Sequence, residues 1–178
     1  MSAARLRGLA PVIAQDARVL ILGSFPSEAS LAARQYYAHP RNHFWPILAA
    51  VLNEPLAELP YMERLARVKA HRVAIWDTIV RCERLGSLDA AIRNAEQGEI
   101  HRVHRVARGL QAVCFNGNTA ARARPAWAHA GYATLVLPST SPAYTLPVAR
   151  KLVAWRELAR WLDDDLAAAP QAGECRVA

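Results

Sequence analysis

Lysine is almost missing from this chain of 178 residues, where twenty arginines stand against two lysines, Lys69 and Lys151. The bias is as much a matter of genome composition as of function and carries little weight. Cysteine is equally scarce. Cys82, Cys114 and Cys175 lie far apart without a C-x-x-C spacing, which argues against a disulfide framework and against a four-thiolate cluster. A reducing cytoplasm is the expected setting. No apolar run approaches the roughly 18 residues of a membrane helix. Pro11, Gln15 and Asp16 interrupt the basic N-terminus before a signal-length core forms. A soluble protein follows, with no membrane partner. Acidic residues are outnumbered 22 to 15, and the net charge of +7 attracts polyanions.

Against these absences, 53% of the residues are hydrophobic and 21% charged, a mixture that can bury a core and excludes wholesale disorder. The length fits one domain, read as residues 1–166, with a small, polar, Pro/Gly-bearing tail over 167–178. Four short apolar segments, 19–22, 73–76, 113–115 and 134–137, read as strands buried on both faces. Each runs into polar or turn residues: Gly23-Ser24, Asp77-Thr78, Asn116-Gly117 and Pro138-Ser139.

Helical spacing lies between them. Ile47, Leu48, Val51 and Leu52 form one face after Pro46, and Val103, Val106, Ala107 and Leu110 form another. The clearest stripe is Val148, Leu152, Trp155, Leu158, Leu162 and Leu166, with Thr145 placed to cap and Pro147 in the first turn. Strands alternating with helices imply an α/β fold with a mostly parallel sheet. Binding residues in such folds gather beyond the carboxyl ends of the strands, where the four polar punctuations stand.

Two of those loops are unusual. After Gly23-Ser24-Phe25-Pro26-Ser27 comes the run Tyr36-Tyr37-Ala38-His39-Pro40-Arg41-Asn42-His43-Phe44-Trp45, where aromatics interleave with Arg and Asn. It reads either as a surface that stacks bases and holds phosphate or as an aromatic plug closing the sheet. The segment Pro138-Ser139-Thr140-Ser141-Pro142 is a stiff turn whose hydroxyls and amides can grip a phosphate. Adjacent parallel strands would set both turns on one rim.

The strings GSFPSEASLAARQYYAHPRNHFW, WDTIVRCERLGSLDAAI, FNGNTA and LPSTSPA, in this order, closely resemble the hypoxanthine-DNA glycosylase branch of the uracil-DNA glycosylase superfamily. The resemblance implies a three-layer α/β/α domain with a central four-stranded, mostly parallel sheet. It also implies excision of a deaminated base from DNA, as the start of base excision repair, by a monomer that needs no cofactor and no metal. Phe25 fills the place of the superfamily's first-motif Asp or Asn, and in this branch Asn42 is the expected substitute. Leu137 stands where the second motif often has His or Asn, and Tyr144 where the branch commonly has Asn. The Pro138-Ser139 pair matches. No lysine stands in these motifs to form a Schiff base, so strand cleavage is not expected.

Breaking an N-glycosidic bond puts positive charge on the sugar and negative charge on the departing base, so a site needs a placed water and an anion-stabilising environment. Asn42 is expected to hold the water. The amides of the turn at Gly23, Ser24 and Phe25 are expected to receive the base oxygen, and Phe44 to stack on the base. Asn116 offers one donor and one acceptor to the edge of hypoxanthine or uracil, where a carbonyl adjoins an N–H. Pro26, Ser27, His39, Arg41, Pro138, Ser139, Thr140, Ser141 and Tyr144 are expected to touch the DNA backbone and groove.

Other readings stand beside these. Asn42 could start the following helix, and Asn116 could be a turn residue before Gly117. His101 and His104 form an HxxH pair on a basic helix, where a solvated face explains them better than a metal. Asp77 is expected to cap the next turn at least as readily as to serve as a base. Glu83, Arg84 and Asp89 read as solvated or capping residues, and Cys114 as core. The rival functions are a uracil- or mismatch-directed glycosylase, and a module that binds lesions without cleaving them.

Overall fold

The structure, a computed structural model, describes residues 5–162. Its elements in chain order are β1 (Arg5–Arg7), β2 (Val19–Gly23), α1 (Glu28–Ala33), α2 (Phe44–Leu52), α3 (Tyr61–Ala70), β3 (Val73–Asp77), β4 (Ile79–Glu83) and β5 (Arg93–Gln97). Then follow α4 (Ile100–Val106), β6 (Ala112–Asn116), α5 (Asn118–Ala121), α6 (Arg124–His129), β7 (Ala133–Leu137), α7 (Val148–Trp155) and α8 (Ala159–Leu162).

The four expected strands form one sheet in the order β3-β2-β6-β7, and every neighbouring pair is parallel. Alternation of side chains divides their apolar residues between two layers. On one face Val19, Ile21, Val73, Ile75, Ala112 and Cys114 pack under Phe44, Ile47 and Leu48 of α2 and Trp155 of α7. On the other, Leu20, Leu22, Ala74, Trp76, Val113 and Phe115 meet Val103, Ala107 and Leu110 beside α4, with Ala120 of α5 and Trp127 of α6. With helices on both faces, the strands are apolar throughout, which is why their runs are continuous. Among the described residues, no helix is long and apolar enough to cross a membrane.

A second, three-stranded antiparallel sheet, β1-β4-β5, was not expected. Its strand β5, Arg93–Gln97, is polar and exposed along its whole length and so carries no apolar pattern. This sheet nonetheless covers a small core of Phe25, Ile79 and Cys82 beside the end of β2.

The C-terminal helix differs from its expectation. Pro147 occupies the N-cap position of α7, so Thr145 lies outside the helix and caps nothing. A proline cannot donate its nitrogen, and the cap position wastes no hydrogen bond on it. The expected single stripe is also broken by a 3-10 turn at Arg156–Leu158, and Leu166 lies outside the described residues, as does the expected tail. Val106 is 40% exposed rather than core, because α4 ends there.

Candidate active site

The parallel register lines up the last residues of the strands on one rim. Gly23 is the partner of Asp77 across β2 and β3, and Leu22 is the partner of Phe115 across β2 and β6. The rim therefore reads Asp77, Gly23, Asn116, Leu137. Strands spaced about 4.8 Å apart put the Cα atoms of Asp77 and Asn116 about 10 Å apart with a bare glycine between them. Above this rim is a cleft of about 250 Å³. Its wall includes Gly23, Ser24, Phe25, Pro26 and Ser27, together with Tyr37, Asn42, Asp77, Asp89 and Asn116. Ser139, Thr140, Ser141 and Tyr144 close the remaining side.

Both turns are held firmly. The carbonyls of Gly23 and Ser24 accept from the N–H groups of Thr78 and Ile79, at 2.9 and 3.0 Å, while no hydrogen bond among the described residues takes the N–H of Ser24 or Phe25. Ser27 caps α1 by accepting from the Ser30 N–H at 3.2 Å, and Glu28 stands in that first turn. The second turn is tied from three directions. Asn116 clamps Thr140, Trp155 Nε1 donates to the Pro138 carbonyl at 3.0 Å, and the His43 N–H donates to the Thr140 carbonyl at 3.0 Å. Gly117, at φ +94°, permits the approach, because a Cβ there would stand 2.9 Å from Cβ of Ser139.

Asn42 is at the cleft and at the head of a helix at once. It lines the cleft, and its Oδ1 accepts from the Phe44 N–H at 2.9 Å at the start of α2. Asn116 is likewise both a wall residue and a tie: Nδ2 donates to Thr140 Oγ1 and Oδ1 accepts from the Thr140 N–H, each at 2.9 Å. One N–H and one lone pair of its carboxamide remain.

The aromatic run divides between core and cleft. Tyr36, Phe44 and Trp45 are buried, and Phe44 is wholly buried. The expectation that Phe44 stacks on a base is therefore corrected: Tyr37 lies over it, ring on ring at 3.7 Å and 12°, and the cleft wall contains Tyr37 and Tyr36 but not Phe44. The reason is the depth of α2, whose first residue enters the core between Trp45 and Trp155. His39 and Arg41 lie on the loop outside the cleft wall, the Arg41 N–H donating to His39 Nδ1 at 3.2 Å. On α4, His104 meets the Tyr132 hydroxyl at 2.8 Å and His101 lies 3.3 Å from Glu99.

The sequence missed a polar group beneath the first turn. Asp77 and Arg84 are each 5% exposed, so Arg84 is not the solvated residue expected. Ser24 Oγ donates to Asp89 Oδ1 at 2.7 Å, and the Arg84 guanidinium donates to the Pro26 carbonyl while lying 5.0 Å over the Phe25 ring. Burial, and then the charge of Asp89, push the Asp77 carboxyl up to about 8, against the pull of Arg84. Behind it is a second cavity of about 450 Å³, which shares Asp77 and Asp89 but contains neither Asn42 nor Asn116. Lys151 is fully buried, with Nζ 2.7 Å from the Tyr144 carbonyl and 3.4 Å from His43 Nδ1, and burial lowers its pKa. Its position four residues before Trp155, on the apolar stripe, was the legible signal.

A sequence model of the uracil DNA glycosylase superfamily matches residues 10–163. The chain belongs to that superfamily. Two relatives named hypoxanthine DNA glycosylase share its sequence. The protein of Methanosarcina barkeri is 32% identical over 85% of this chain and 96% of its own length. That of Methanosarcina acetivorans is 35% identical over 77% and 87%. A solution NMR structure from Methanosarcina acetivorans, provisionally named a uracil DNA glycosylase, superposes with a TM-score of 0.77 at 31% identity, over 88% of this chain and 99% of the other. The glycosylase thus shares its fold with that structure over 99% of the other chain.

Proposed function

We propose that this DNA glycosylase releases hypoxanthine from deoxyinosine in DNA by hydrolysis of the N-glycosidic bond, acting as a monomer in the cytoplasm. The observation that carries the reading is the one-base cleft on the sheet rim, walled by the turn at Gly23–Ser27, by Asn42 and by Asn116. The names of the two relatives point to the same substrate. A base stacked in a duplex cannot enter such a cleft, so the nucleotide is extruded first, at a cost of a few kcal/mol that is smaller for a mispaired base.

With Phe25 in the first motif there is no carboxylate there to activate water. Asn42 holds the water against the sugar, and the N–H groups of Ser24 and Phe25 receive the negative charge that develops on the base. Asn116 presents its remaining N–H to a ring-nitrogen acceptor of the base. The turn at Pro138–Ser141 and the neighbouring Tyr144 grip the DNA strand, with Pro26 and Ser27 on the opposite lip and Arg41 and His39 outside it.

The test is a panel of duplexes carrying inosine, uracil, xanthine or ethenoadenine, assayed for abasic sites with and without chelator. Release of hypoxanthine in chelator is the expected result. Release of uracil alone would replace this reading by a uracil-directed one, and tight binding without release would leave a lesion-binding module.

A further inference from the structure

The floor of the cleft contains two buried polar atoms without partners. Oδ2 of Asp77 makes no hydrogen bond, and the Tyr37 hydroxyl lies near Asn116 without closing one. Both side chains belong to the cleft wall. A buried polar group left unpaired is costly, so two in one cleft wall mark where a ligand supplies the missing bonds. The two side chains approach each other above Gly23, where a Cβ would stand 2.5 Å from Asp77 Oδ1, the other oxygen of that carboxyl, and 3.2 Å from the Tyr37 hydroxyl, so only glycine leaves the space open.

The groups facing Asp77 are Asp89 from the 3-10 turn, Arg84 after β4, and Tyr36 and Tyr37 from the loop before α2. Burial pushes both tyrosines above their ordinary range, so they stay protonated where Asp77 titrates. With its carboxyl pushed up to about 8, Asp77 is mostly the neutral acid at pH 7. A neutral carboxyl has an O–H donor next to a C=O acceptor. The amide edge of hypoxanthine has the complementary pair, a carbonyl next to an N–H.

We propose that Asp77, as the neutral carboxylic acid, reads the amide edge of the extruded base, donating to its carbonyl and accepting from its N–H, with the Tyr37 hydroxyl as a second donor. The assignment rests on the glycosylase reading above. Ionised, Asp77 loses the donor and sets negative charge against a carbonyl that is itself gaining charge as the bond breaks.

Single-turnover release of hypoxanthine from an inosine duplex, measured from about pH 6 to about pH 9.5, tests it. The parent, Asp77→Asn and Asp77→Leu are compared, with thermal melts and affinity for an abasic-site duplex on the same preparations. The parent rate is expected to fall by about tenfold per pH unit above the Asp77 titration. Asp77→Asn, which offers a permanent donor and acceptor, is expected to be a few-fold slower at pH 7 and flat across the range. Asp77→Leu is expected to be about a hundredfold slower at every pH with its abasic-site affinity retained.

A Leu variant as fast as the parent, an Asn variant as slow as the Leu variant, or a parent rate that rises through the titration would overturn the assignment, the last by making Asp77 a base. If Asp77→Leu does not fold, the Asn and parent pH profiles decide alone. A parent that releases hypoxanthine at no pH overturns the underlying substrate reading instead.

Discussion

Asn116 and Thr140 are joined by two hydrogen bonds of 2.9 Å, one in each direction, so the end of β6 and the turn after β7 move as a unit. The consequence is that Asn116 shapes the cleft as well as lining it. Asn116→Ala strands the Thr140 N–H and is expected to lower the melting temperature, weaken DNA binding and slow excision together, with a stability loss of about 1–3 kcal/mol. Asn116→Asp keeps the acceptor for the Thr140 N–H, and the Thr140 hydroxyl can rotate to donate. This variant is expected to stay folded and bind DNA yet excise poorly, because its charge repels the departing base. Melts and single-turnover rates on both variants separate clamp from contact; equal losses of stability in the two would contradict it.

Asn42 has a similar double duty, and one substitution separates its parts. Asn42→Ala is expected to reduce turnover by about a hundredfold or more. It also removes the acceptor of the Phe44 N–H at the head of α2, a hydrogen bond worth about 0.5–1.5 kcal/mol. Asn42→Ser restores an acceptor for the Phe44 N–H while lacking the carboxamide. It is expected to recover the melting temperature without recovering the rate. A Ser variant with near-parental single-turnover kinetics would show that Asn42 serves only to hold the head of α2.

Burial of Asp77 also sets the pH dependence of stability. Its folded pKa, about 8, lies above the ordinary value of 3.8, so the folded state binds the extra proton. The stabilisation from this group is complete below about pH 4 and is lost as the pH rises to about 8. Asp77→Asn, which cannot ionise, is expected to melt higher than the parent at pH 8, with the gap narrowing towards pH 4. Parallel melting curves across that range would contradict it.

The net charge of +7 predicts DNA affinity dominated by phosphate contacts. Affinity for undamaged duplex is expected to fall more than tenfold between about 50 and 200 mM salt. A flat response would argue against electrostatic docking.

The sequence by itself determined the central sheet. Strands buried on both faces must be apolar throughout, so β2, β3, β6 and β7 announced themselves as short continuous runs, and the polar residues that ended them came to one rim of the sheet. It determined the motifs as well, because Asn42 and the Pro138–Ser141 turn are fixed by local spacing. Only the tertiary structure decided which side of the rim each side chain serves. The polar β5 has no pattern to read, since its pairing with β4 is made by backbone groups. Phe44 and Tyr37 are both aromatic in the same run, and only packing against Trp155 settles which is core. Arg84 is a charged residue type, which in sequence reads as solvent exposure, and Asp77 reads as a cap or a base. The burial of both comes from the small sheet and the turn at Gly23 closing over them, a contact between segments far apart in the chain.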